Sequence, residues 1–330
     1  MTSPGGLALA TRGLRKSYGS RLALDGLDLS VPTGVVYGFL GPNGAGKTTT
    51  MRLLTGLLHP DSGTIELLGR PFSRGDRKRL FSVGALVESP SFYPYLSGRQ
   101  NLRALAATGA PVPAGRIEAL LEVVGLRDRA RDKVAGYSLG MKQRLGIAGA
   151  LLSDPELLLL DEPANGLDPA GIVAMREAPE RLAGEGKTVF VSSHLLGEVQ
   201  VLADVVGIIA AGRLVREGTL DSMLRDQGVV RVRVPTAQLA EARATLERLA
   251  KVEPHRAGEG DPWLAVHLEP GRAAEVNRVL AETGIFASGL ESGTDLELLF
   301  LELTAGSGSV SSEGTFSAIA SPGQAPGPPS

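Results

Sequence analysis

The sequence predicts an α/β fold, a mainly parallel sheet covered on both faces, and three observations predict it. Short apolar runs such as Val35–Leu40 and Leu157–Leu160 alternate with segments whose apolar residues recur at helical spacing, such as Lys47–Leu58. The first run leads into Gly41-Pro42-Asn43-Gly44-Ala45-Gly46-Lys47-Thr48, the spacing of a phosphate-binding loop set between a strand and a helix. The second run ends in two adjacent carboxylates, Asp161 and Glu162.

In chain order, Leu7–Leu14 and Leu22–Val31 alternate loosely around the turn-like Ser17–Ser20 and read as antiparallel strands. Gly63–Gly69 and Phe81–Glu88 read as further strands. From Ser97 the pattern becomes helical. Asn101–Ala107 and Arg116–Val124 are separated by the breaker Gly109–Pro113, and a third helix starts near Ser138 and runs to Leu152. This is a helical insertion spanning about residues 89–150 inside an α/β domain of residues 7–220. After the Leu157–Leu160 strand come a helix from Pro169 to Ala183 interrupted by Pro179, a strand Thr188–Ser192, a helix Leu195–Leu202 and a hairpin Val205–Glu217. Residues 221–304 read as a small α+β appendage: strand Val229–Val234, helix Thr236–Leu249, strand Trp263–Leu268, and helices Ala273–Glu282 and Leu296–Leu303. The Gly-, Ser- and Pro-rich stretch Ala305–Ser330 is expected to be a disordered tail.

Composition narrows the function. A formal charge of −2 over 330 residues gives no basic excess, which argues against nucleic acid as a partner. With no cysteine, thiol catalysis, disulfides and cysteine-bound metals are excluded. The N-terminus lacks the apolar core of a secretory signal, and no apolar run is long enough to span a bilayer, so a membrane role requires another chain.

The chemistry follows from the loop. Glycines let successive N–H groups turn inward toward phosphate oxygens, and the helix that follows adds positive potential. Lys47 is placed for the β- and γ-phosphates, and the Thr48 hydroxyl is a magnesium ligand. If the Leu157–Leu160 strand lies beside the loop's strand, Asp161 reaches the magnesium shell and Glu162 polarises a water for in-line attack. Ser138 caps a helix start whose Gly140 permits close approach to a phosphate.

The loop, the Asp161-Glu162 strand end and Tyr137-Ser138-Leu139-Gly140-Met141 together resemble the ATP-binding-cassette ATPases over roughly residues 7–220. The family's commonest signature is Leu-Ser-Gly-Gly-Gln, of which this chain keeps the serine and the second glycine. The resemblance implies a P-loop NTPase fold with an antiparallel β subdomain, ATP and Mg2+ as ligands, and an ATP site formed by residues 41–49, Thr49 included, with Tyr18 stacking on adenine. It implies Glu162 and His194 as catalytic residues, Thr48, Glu88 and Asp161 around the metal, and Gly166, Leu167 and Asp168 as the loop crossing a dimer interface. Ser138, Leu139, Gly140 and Met141 would act in trans, from a second copy or a paralogous cassette.

Most of the family has glutamine where this chain has Glu88. The run Val83–Pro94 resembles a subgroup of bacterial export ATPases linked to peptide-antibiotic and drug resistance. The implied function is an ATPase on the cytoplasmic face of the membrane, driving a separate permease that exports a drug, an antibiotic peptide or a similar amphiphile. The alternative is a regulatory or sensor cassette docking on a membrane protein.

Overall fold

The computed structural model describes residues 6–73, 76–109, 111–165, 179, 181–225, 228–255 and 262–294. Its centre is a six-stranded sheet of order β10-β9-β3-β8-β7-β6, made from β3 (Val36–Leu40), β6 (Val83–Leu86), β7 (Leu157–Asp161), β8 (Thr188–Ser193), β9 (Val205–Ala210) and β10 (Arg213–Thr219). All neighbours are parallel except β10, which returns antiparallel along β9. Strands β3, β7 and β8 are buried at every residue, as expected of parallel strands covered on both faces.

The period-two alternation of a strand explains the four leucines of β7. Leu157 and Leu159 join Tyr37, Phe39 and Phe190 on one face, against the helix α1 (Lys47–Leu54) and a second sheet. Leu158 and Leu160 join Val189 and Val191 on the other, against the helical layer. That second sheet is antiparallel, of order β2-β1-β4-β5, from β1 (Leu7–Tyr18), β2 (Arg21–Pro32), β4 (Ser62–Leu67) and β5 (Arg70–Pro71). The helical layer contains α2 (Gly98–Ala106), α3 (Arg116–Val123) and α4 (Leu139–Ala150). Helix α2 starts in a capping box of Ser97 and Gln100.

The β9–β10 hairpin braces the phosphate loop. Its turn residue Gly212 has φ of 76° and donates from N to Ala45 O at 2.9 Å, while its own carbonyl accepts from Asp25 N at 3.0 Å. A Cβ at Gly212 would stand 2.7 Å from Ala23 O and 2.9 Å from Leu24 Cα, both backbone atoms. Gly212→Val is therefore expected to destabilise the fold by about 2 kcal/mol or more, because left-handed strain and backbone overlap add. A fall in thermal midpoint of several degrees checks this, and an unchanged midpoint would remove the hairpin from the loop's support. Nearby, Tyr37 is wholly buried, stacks on Phe190 at 5.2 Å, and donates to Glu217 of β10 at 2.5 Å. Burial, reinforced by Glu217, pushes the Tyr37 phenol well above its ordinary pKa, which keeps it a donor.

Past the short helices α5 (Leu196–Leu202) and α6 (Leu220–Arg225), residues 228–294 form a third, antiparallel sheet. Its elements run β11 (Gly228–Arg233), α7 (Leu239–Leu246), β12 (Val252–His255), β13 (Trp263–His267), α8 (Ala273–Glu282) and β14 (Gly289–Thr294). The sheet order β12-β13-β11-β14 with this β-α-β-β-α-β succession is ferredoxin-like. Val230, Val232, Leu264 and Val266 pack on Ala242, Leu246, Val276 and Leu280 of the two helices.

Four sequence expectations are corrected. The strand expected over Phe81–Glu88 is confined to Val83–Leu86: residues 77–82 form a 3-10 turn, and Glu88 takes φ of 64°, outside the extended region of a non-glycine strand residue. The Asp161 strand does not lie beside the phosphate-loop strand, because β8 pairs with both and separates them. In the appendage, β12 and β14 were not anticipated. The helix expected over Thr236–Leu249 is a short 3-10 turn followed by α7, which ends at Leu246. The helix expected at Leu296–Leu303, the Ala305–Ser330 tail and most of the Pro169–Ala183 helix lie outside the described residues.

Candidate ATP site

The C-terminal ends of β3, β8 and β7 open at one edge of the central sheet, where ligands bind in α/β folds. Leu40 is in register with Ser193, and Asp161 with Ser192, so the phosphate loop, His194 and Glu162 leave the sheet together. They surround a cavity of about 590 Å³.

The loop itself forms one wall. Asn43, Gly44, Gly46, Lys47, Thr48 and Thr49 line the cavity, while Gly41 and Ala45 sit behind them. A Cβ at Gly41 would meet Ile209 O at 2.5 Å, and one at Gly46, where φ is 112°, would meet Ala23 O at 2.7 Å. Only glycine lets the loop lie this close to β9 and β2. Pro42 contributes its carbonyl, which accepts from Ala45 N at 3.1 Å and closes the turn.

Lys47 is 5% exposed and multiply held. Its Nζ donates to Gly41 O at 2.7 Å and Pro42 O at 3.2 Å, and stands 3.1 Å from Glu162 Oε1. The other Glu162 oxygen, Oε2, is 2.5 Å from His194 Nδ1. Glu162 thus joins the phosphate-loop lysine to the histidine. Its backbone is left-handed, with φ of 47°. Asp161 is buried beneath it and accepts from Ser192 Oγ at 2.6 Å.

Tyr18, 43% exposed, lines the cavity with an aromatic surface. Arg21 and Asn165 also line it. Arg21 belongs to no motif of the sequence. Its position three residues beyond Tyr18, across the β1–β2 turn, was the available signal.

The structure does not bring every expected residue here. Glu88 lies outside the cavity lining and pairs with Arg52 of α1, and this hydrogen bond raises the Arg52 pKa, with Tyr18 adding to it. Ser138, Leu139, Gly140 and Met141 begin α4 in the helical layer and none lines the cavity. Ser138 Oγ accepts from Met141 N at 3.2 Å, and Leu139 is half exposed. Tyr137, where the commonest signature has leucine, is buried, and its hydroxyl donates to Arg129 O at 2.7 Å. Gly98 makes room for that ring, since a Cβ there would lie 2.4 Å from the hydroxyl. Gly166, Leu167 and Asp168 lie outside the described residues.

Among the described residues no three His, Cys, Asp or Glu side chains converge as a metal cage. Magnesium does not need one: it keeps waters and substrate phosphates and takes few protein ligands. The hard oxygen of Thr48 lines the cavity and suits such a site, whereas Asp161 lies buried behind the lining with Oδ1 bonded to Ser192 and Oδ2 as its remaining oxygen.

A second cavity, of about 350 Å³, opens between β6, the segment Pro90–Phe92 and the helical layer. Gly146 and Gly149 of α4 form part of its floor. Asn101 of α2 ties down the neighbouring chain, accepting from Tyr93 N at 2.9 Å and donating to Ser97 O at 3.0 Å. Tyr93 and Tyr95 are exposed, with their rings 5.8 Å apart. No helix among the described residues is long and apolar enough to cross a membrane.

Comparison with known proteins agrees with this geometry. A family model described as ABC transporter matches residues 24–165. The bacitracin transport ATP-binding protein BcrA of Bacillus licheniformis is 40% identical over 300 residues, covering 90% of this chain and 97% of its own length. The lantibiotic transport ATP-binding protein SrtF of Streptococcus pyogenes is 45% identical over 213 residues, covering 64% of this chain and 91% of its own. Among solved structures, an ATP-binding subunit of an ABC transporter superposes with a TM-score of 0.60 at 30% identity, covering 67% of this chain and 92% of that one. CbiO1 of Clostridium perfringens, part of an ABC transporter complex, also gives 0.60, at 26% identity over 74% of this chain and 96% of that one. With its phosphate loop, paired carboxylates and histidine gathered at one sheet edge, the chain belongs to the ABC transporter family as an ATP-binding protein and ATPase.

Proposed function

We propose that this ATPase powers a separate membrane permease exporting an antibiotic peptide, a drug or a similar amphiphile from the cytoplasmic face of the membrane. The observation that carries this reading is the 40% identity with a bacitracin transport ATP-binding protein along 90% of the chain. An alignment of that length reaches beyond the cassette into the β11–β14 sheet. The same character appears in a relative named for daunorubicin resistance, DrrA3 of Streptomyces coeruleorubidus, 40% identical over 245 residues.

In the mechanism we infer, Lys47 and the loop N–H groups bind and orient the phosphates, and Tyr18 stacks on the base. Thr48 and Asp161 would hold magnesium, which would neutralise charge on the transferring phosphoryl oxygens. Glu162 orients the attacking water and accepts its proton, and His194 contacts the γ-phosphate. The Ser138–Met141 helix start of a second copy or a paralogous cassette closes the site, with the Gly166–Asp168 loop at the interface. The placement of Ser138–Met141 away from this chain's own cavity supports this division of labour. Glu88 would serve the metal only by exchanging the Arg52 contact it makes here. The groove between β6 and α4, with Tyr93 and Tyr95 beside it, suits a permease segment, so closure of the paired cassettes is transmitted there. We place the boundary between cassette and appendage near residue 220.

The full chain, purified with its co-purifying membrane protein and reconstituted in vesicles, tests the reading. Bacitracin or another amphiphilic peptide is expected to raise steady-state ATP turnover several-fold. Turnover indifferent to such peptides and drugs would overturn the export assignment.

A further inference from the structure

We propose that Ser192 is a positioning residue for ATP hydrolysis, its single hydroxyl setting both members of the Asp161-Glu162 pair. Ser192 is fully buried near the end of β8. Its Oγ donates to Asp161 Oδ1 at 2.6 Å and accepts from Glu162 N at 3.0 Å. The same N–H also reaches Ser192 O, at 3.2 Å. The inference rests on the roles proposed above for Asp161 and Glu162.

A buried hydroxyl is costly unless it is bonded, and the residues before it on β8, Val189, Phe190 and Val191, are apolar. At Ser192 the hydroxyl is bonded in both senses, and both partners belong to the proposed reaction. Toward Asp161 it fixes one carboxylate oxygen and so restrains rotation of the carboxylate. Toward Glu162 it holds the N–H of a residue at φ of 47°, a conformation that persists in a non-glycine residue only where its surroundings enforce it. From that backbone the Glu162 side chain reaches Lys47 at 3.1 Å and His194 at 2.5 Å. The adjacent Ser193 does separate work, since its Oγ accepts from Leu195 N at 2.9 Å and donates to Glu198 at 2.6 Å.

Outer-shell partners of a metal ligand are worth about 10- to 100-fold in metal affinity or activity. Ser192→Ala and Ser192→Thr in the full chain, with Glu162→Gln alongside, test the proposal through three readouts. These are affinity for a fluorescent ATP analogue without divalent metal, Mn2+ affinity of the ATP-loaded chain by electron paramagnetic resonance, and steady-state kcat and KM. Ser192→Ala is expected to keep metal-free nucleotide affinity and KM within about twofold while losing at least tenfold in both Mn2+ affinity and kcat. Ser192→Thr, which restores the hydroxyl, is expected to recover most of both. Wild-type Mn2+ affinity and kcat in Ser192→Ala would overturn the proposal. So would a parallel loss of metal-free nucleotide binding, or a Ser192→Thr variant as impaired as the alanine, because each marks a purely structural residue. Should Glu162→Gln turn over ATP at the wild-type rate, the catalytic assignment itself fails, an outcome distinct from failure at Ser192.

Discussion

Glu162→Gln is expected to bind ATP as tightly as the parent chain and to hydrolyse it at least ~100-fold more slowly. The amide keeps the size of the carboxylate and its reach toward His194 but cannot accept a proton from water. It also removes the negative charge 3.1 Å from Lys47 Nζ, so phosphate oxygens no longer compete with a fixed anion for that lysine. Binding is therefore retained or strengthened while turnover stops. In the two-chain mechanism proposed above, the unhydrolysed ATP is then expected to hold two chains together. Single-turnover hydrolysis and size-exclusion chromatography with ATP and Mg2+ measure the two effects. Hydrolysis at the parent rate would sink the assignment of Glu162.

Lys47→Ala should remove nucleotide affinity almost wholly. The lysine is the loop's buried cation, and a charge-assisted contact to phosphate is worth about 3 kcal/mol, on the order of 100-fold in Kd. The substitution also leaves Glu162 in the cavity lining without this counter-charge, which repels phosphate further. Calorimetric titration with ATP checks this, and tight binding by the alanine variant would overturn the role of the loop.

Much of this site is legible in the sequence. The phosphate-loop spacing, the aliphatic run ending in Asp161-Glu162 and the position of His194 after an apolar strand are local patterns, and the fold gathers all of them at one sheet edge. Strand order is a different kind of fact. Apolar runs such as β7 and β8 say that strands are buried but not which neighbours they choose, so the interposition of β8 could not be read. In the appendage, Val252–His255 contains Pro254, and Gly289–Thr294 holds two glycines, a serine and a glutamate. Such residues have low strand propensity, and pairing with β13 and β11 supplies what propensity does not. Ser192 and Arg52 were missed because a serine at a strand end and an arginine on a helix are ordinary until their partners are known. Two serines closing the strand directly after the apolar run Val189–Val191 were the one hint.

The ferredoxin-like unit has a consequence for how this chain is assembled. Its first strand, β11, and its last, β14, are neighbours, and Gly228 is paired with Thr294. The polypeptide therefore enters and leaves the unit at a single doorway about 5 Å wide, the spacing of adjacent strands. A module with such a doorway can be spliced out, or exchanged for another with the same entrance, without redirecting the chain on either side. Thr294, where the last strand ends, stands beside Gly228, where the first begins.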